Sequence, residues 1–207
     1  MFKNVTLISV FIIAIAGCSS NNESSVETDN KSWLIENVAA SAPSFISDFA
    51  TILSPDGVVL REGSNGWSCL PMRPMPEGGY PDAQDMNSMC ADEEGFKWAE
   101  AYGSGTTPNM ERDAYIWMLN GDVGEDNRKS SLYGGDKEKS MMEGHFIESG
   151  PHLMLMPKNP STIENFPTDF TTGAPYQMFK GSPYAHLMIP VDGYYCLLYT
   201  SPSPRDS

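Results

Sequence analysis

Positive charge is scarce in this 207-residue chain: 13 Lys and Arg stand against 27 Asp and Glu. Nucleic acid and anionic lipid head groups both need a basic face, so neither is expected as a partner. Histidine occurs only three times. No HExxH pair, G-x-S-x-G frame, S-x-x-K, phosphate loop or dinucleotide fingerprint is present. No hydrolase or nucleotide-binding motif therefore announces itself. After residue 16 no apolar run is long enough to span a bilayer. Internal repeats are absent as well, which excludes solenoids and propellers.

What is present begins at the N-terminus, MFKNVTLISVFIIAIAGC. Lys3 gives a short basic start, and Leu7 to Ala16 is apolar except for Ser9. That length suits a signal-peptide core. Ile15-Ala16-Gly17-Cys18 resembles a lipobox. It implies removal of residues 1–17, diacylation of the Cys18 thiol and acylation of the new amine. Ser19 follows the lipidated cysteine, and by resemblance to the lipoprotein sorting rule it implies the outer membrane, facing the periplasm. The membrane is thus an expected partner through lipid alone. Several acyl chains hold firmly where one holds marginally. Residues 18–32 continue as CSSNNESSVETDNKS, which is polar and poor in apolar residues. They read as a disordered tether, because they cannot bury enough surface to fold. Such a tether would reach roughly 20 Å.

The other end is set aside. Residues 196–206, CLLYTSPSPRD, resemble the residue-for-residue translation of a sequencing-library adapter. Residues 196–207 are therefore left out of the fold reading, and the authentic C-terminus is expected close after Val191. Residues 18–195 then hold 11 basic and 26 acidic residues, a formal −15 spread along the chain. Residues 33–195 suit one globular domain with a core of its own.

With Cys18 lipidated and Cys196 discarded, Cys69 and Cys90 remain. In an oxidising envelope such a pair reads as a disulfide. It would close the loop LPMRPMPEGGYPDAQDMNSM and stabilise the fold by roughly 3 kcal/mol in the chain-entropy model.

Periodicity places a helix over 33–40, ended by Pro43, and a stronger one over 91–102 with acidic residues in its first turn. Residues 49–53 and 58–61 flank a Ser-Pro-Asp-Gly turn and read as a hairpin. A further strand is expected to lead to Trp67 and Cys69. Strands are expected at 112–119, 145–148 and 152–156, a helical turn at 160–166, and a final hairpin over 176–179 and 184–191. Residues 121–144 read as a polar surface excursion. Short strands with few helices predict an α+β fold: a single domain, mainly antiparallel, with one disulfide-stapled loop.

Five blocks carry a family resemblance: NGWSCLP (65–71), KWAEA (97–101), YIWMLNG (115–121), SGPHLML (149–155) and KGSPYAHLMIPV (180–191). Together they resemble a family of uncharacterised bacterial secreted proteins and lipoproteins. The chain departs from that pattern after Gly121, where Asp122-Val123-Gly124-Glu125-Asp126-Asn127 stands. The resemblance implies an address and no activity.

Three functional readings are open. The first is an envelope lipoprotein whose domain binds a protein or small-molecule partner without cofactor or catalysis. The second is a metal-dependent hydrolase. His152 and His186 each sit in a strand, and if those strands were neighbours the imidazoles could meet. His145, Glu148 or an acidic residue of 122–126 could complete a zinc site. The third is a copper-binding protein, in which reduced Cys69 and Cys90 join Met72, Met75, Met86 and Met89 as soft ligands. Against these stand the bland alternatives. Core histidines hydrogen-bond within a sheet, methionine fills gaps, and the aromatic residues of 67–118 form core rather than a groove.

Overall fold

A computed structural model describes residues 21–191, with side chains described from Asn30. Cys18 and residues 196–207 lie outside the described residues.

Helix α1 spans Asn21–Ala39. Leu34 and Val38 lie one turn apart and are buried, with Ile35 packed beside them. This apolar turn is the helix predicted at 33–40. The helix runs further back than expected, through most of the segment read as a disordered tether. Residues 21–32 offer little apolar surface to bury. Once packing fixes the turn at 34–38, however, each further residue adds only the small cost of propagation. Nineteen helical residues make a rod of about 28 Å.

After α2 (Ser44–Ser47), strands β1 (Thr51–Leu53) and β2 (Val59–Arg61) form the expected hairpin, with a register shift at Ile52/Leu53. Strand β3 (Ser68–Leu70) lies parallel to β1. Strand β4 (Met89–Ala91) pairs antiparallel with β3 and sets Cys69 directly opposite Cys90, where the two are joined as a disulfide. Strand β4 is not among the expected elements, and the helix expected from Ala91 starts later. Helix α3 instead spans Glu93–Ser104. Its N-cap is Asp92, whose carboxylate accepts from Gly95 N at 2.8 Å. Gly95 has a packing role. A Cβ there would meet Ala91 Cβ, Ile116 Cγ1 and Tyr115 O, each at 3.1 Å. The missing side chain lets α3 lie close on the sheet.

Strand β5 (Ala114–Met118) pairs with β4 and with β8 (His152–Met156). Strand β10 (His186–Pro190) pairs with β8 and with β9 (Tyr176–Met178), closing the predicted hairpin. The order β2-β1-β3-β4-β5-β8-β10-β9 makes one eight-stranded sheet, antiparallel except at β1–β3. Beside it lies a second sheet of β6 (Glu125–Asp126) and β7 (Phe146–Ile147). Between these two strands sits α4 (Lys137–Met142), capped by Asp136. The region read as a plain surface excursion is therefore a small ordered layer. The fold is a single α+β domain, mainly antiparallel, with four α-helices among the described residues, of which α2 and α4 are very short.

Strand alternation sorts the core into two clusters. One face of the main sheet carries Ile52, Cys69 and Cys90, and α1 covers them. The opposite face carries Ile116, Met154, Met188 and Tyr176, against α3 and its Trp98.

Candidate functional site

Strands β8 and β10 are neighbours, as the metal reading requires, and their histidines share one face. The register separates them. His152 pairs with Pro190, and Leu187 with Leu155, so His186 sits four positions from the partner of His152. That is about 13 Å along the strand. Met154 and Met188 fill the layer between.

Each imidazole is tied to a nearby carbonyl and closed off from solvent. His186 Nδ1 lies 2.9 Å from Tyr184 O. Its ring meets Trp98 and Phe179 edge-on, at centroid distances of 5.3 and 5.4 Å. Burial pushes its pKa down to about 4, partly opposed by the Tyr184 carbonyl. His152 is fully buried, with Nδ1 2.6 Å from Gly150 O. Burial lowers its pKa too, against the pull of Asp122.

Among the acidic residues of 122–126, Asp122 is the one whose charge acts on His152. Asp122 has a structural task. Its Oδ1 accepts from Gly124 N at 3.0 Å and Ser149 N at 2.8 Å, joining the exit of β5 to the entry of β8. Burial raises its pKa against these bonds. Gly121 makes the junction possible: its φ is +75°, and a Cβ would lie 2.7 Å from Ser149 O. Glu148 is exposed, and His145 lies at the second sheet. Among the described residues no group of three His, Cys, Asp or Glu stands close enough to hold a metal ion.

The copper ligands are likewise dispersed. Cys69 and Cys90 are bonded to each other, so neither offers a thiolate. Met86 packs with them in one cluster, Met89 belongs to the other, and Met72 and Met75 are exposed. The aromatic side chains of α3 are core. Trp98 stacks on Tyr102 at 5.2 Å, and Tyr102 stacks on Phe179 at 6.0 Å. Burial raises the Tyr102 phenol to about 12, against its hydrogen bond to Ser130.

Polar side chains converge with solvent elsewhere, at the second sheet. A cleft of about 400 Å³ opens there, lined by Asn127, Arg128, His145, Asp169, Phe170 and Lys180 among others. This volume is within the range of small-molecule sites. Asn127 joins its walls. Its N–H donates to His145 O at 2.8 Å, its carbonyl accepts from Phe179 N at 2.9 Å, and its Nδ2 donates to Thr168 O at 2.9 Å. Asn127 is 3% exposed, and its Oδ1 is buried without a hydrogen-bond partner. Arg128 is held by Asp126 through Nε and Nη2, both at 3.3 Å, and by Glu143 at 2.8 Å through Nη1. Phe179, beside the cleft, adopts φ +54°, unusual for a residue with a side chain. Two smaller hollows, of about 350 and 190 Å³, also border Arg128.

Of the candidate metal ligands named from sequence, only His145 lies in this cleft. Asn127, Arg128 and Asp169 carried no motif. Their meeting depends on β6–β7 pairing and on the return of 168–171, both long-range. Compared with protein-family models, curated proteins and solved structures, the chain matches none.

Proposed function

We propose that this protein is a lipid-anchored protein of the bacterial envelope whose domain binds a ligand without transforming it. Cys18 carries the lipid, and the outer membrane, with the domain facing the periplasm, is the address. The lipobox supports the anchor, and the Cys69–Cys90 disulfide fits an oxidising compartment. One observation carries the binding reading: the cleft beside Arg128 gathers polar side chains at a solvent-accessible hollow, whereas His152 and His186 are sealed in the sheet core. A buried imidazole without access to substrate cannot exchange protons with it.

Two experiments test the two halves. Wild-type protein should fractionate with outer membranes, and Cys18→Ser should move it to the soluble periplasmic fraction. Unchanged membrane fractionation of Cys18→Ser would refute the anchor. For the domain, protein purified without affinity tags should hold substoichiometric zinc, copper and iron, unaltered by His152→Ala. A stoichiometric metal lost on that substitution would restore the hydrolase reading.

A further inference from the structure

The chemistry of the cleft narrows the class of ligand, on the basis that the cleft is the binding site. Two features bear on it. The lining carries both donors and acceptors. Arg128 commits three of its N–H groups to Asp126 and Glu143, which leaves two of the five a guanidinium has. Lys180 Nζ donates to Glu164 O at 2.8 Å and keeps further N–H donors. Asp169 Oδ1 accepts from the Thr171 N–H and hydroxyl, and these bonds hold its carboxyl below the usual range, so it stays an anion. Second, Phe170 offers a half-buried aromatic ring to the same hollow, supported by Tyr176 at 6.0 Å.

Charge decides between classes. An anionic ligand would meet Asp169 in the lining and Asp126 and Glu143 on Arg128, in a chain of formal charge −14. A cationic ligand would meet Arg128 and Lys180. A neutral ligand bearing many hydroxyls suits charges of both signs: its hydroxyls donate to Asp169 and accept from Arg128 and Lys180, and its C–H face lies on Phe170. We infer that the cleft beside Arg128 binds a neutral oligosaccharide.

The test is calorimetric titration of the full lipidated chain, solubilised in a detergent without a sugar head group. The probes are triacetylchitotriose, cellotriose and citrate. The two sugars distinguish an N-acetylated glycan from one bearing hydroxyls alone. Saturable binding of either sugar is expected, with Lys180→Ala weakening it about tenfold, as for one lost charged hydrogen bond, and Phe170→Ala weakening it about as much through the lost ring face. Lys180 is exposed, so its variant retains the readout should Phe170→Ala not fold. Asp169→Asn, which keeps the acceptor oxygen, should change sugar affinity only a few-fold. Failure of both sugars to bind at millimolar concentration would overturn the inference. Sugar binding unaffected by both variants would overturn it too, because the site would lie elsewhere. Citrate binding strengthened by Asp169→Asn, without sugar binding, would overturn the ligand class while leaving the cleft as a binding site.

Discussion

The face of the main sheet that carries Ile52, Cys69 and Cys90 is closed by α1 and a covalent bond, whereas the face that carries Met154, Met188 and His186 is closed by rings and local hydrogen bonds. On the first face the buried side chains are small, aliphatic or sulfur-bearing, with Trp67, Tyr80 and Trp117 packed at their margin, and the disulfide ties neighbouring strands. On the second face Trp98, Tyr102, Phe179 and Tyr184 pack around a neutral imidazole. The difference teaches where polarity is tolerated. The stapled face takes in Gln177 near the far edge of the sheet, and the aromatic face takes in His152 and His186, each with a carbonyl acceptor two residues away. The cleft opens beside the aromatic side, where the second sheet supplies an extra layer.

The contrast can be broken by substitution. Trp98→Ala should have the largest effect, about 3–5 kcal/mol in urea unfolding, because it empties the centre of the aromatic face. A loss below 1 kcal/mol would mean that the rings do not hold that face. Replacing both Cys69 and Cys90 by Ala should cost roughly 3 kcal/mol, mainly through the freed unfolded chain. The same double variant should leave the near-ultraviolet signal of the aromatic face intact, and its collapse would show that the two faces are not separable.

Titration sharpens the contrast further. His186 is neutral in the fold with a pKa lowered to about 4, so the unfolded chain binds more protons below pH 6.5. Its contribution is present in full above pH 6.5 and is lost as the pH falls toward 4, amounting to at most about 3 kcal/mol. His186→Gln should flatten unfolding free energy against pH over that window, and an unchanged slope would contradict a buried neutral ring. The smallest effect is expected at Asp92, which caps α3 and pairs with Arg112 at 2.7 Å. Asp92→Ala should cost about 1 kcal/mol in the same unfolding assay.

Much of this fold was legible in the sequence, for identifiable reasons. The Ser-Pro-Asp-Gly turn, the alternating HLMLM strand and the Trp98–Tyr102 spacing are local signals, and each became the expected element. Strand β4 was hidden because Met89–Ala91 is three residues long and buried throughout, without alternation. Strand β6 is two residues long and acidic, and its pairing with β7 spans some twenty residues. Register was equally invisible. HLMLM and AHLMIP announced two strands with histidines on one face, but only the pairing of His152 with Pro190 shows that the rings stand at opposite ends. The cleft escaped for the same reason, since Asn127, Thr168 and Phe179 meet only after the chain has returned twice.

The proposed anchor would place both faces and the cleft at a membrane surface, and that proposal rests on one residue, Cys18. Mass spectrometry of the N-terminal peptide from the mature, membrane-extracted protein tests it most directly. The account predicts a peptide that begins at Cys18 and carries the mass of a diacylglyceryl group on its thiol and an acyl chain on its amine. A mature N-terminus at any other residue, or an unmodified Cys18, would contradict it.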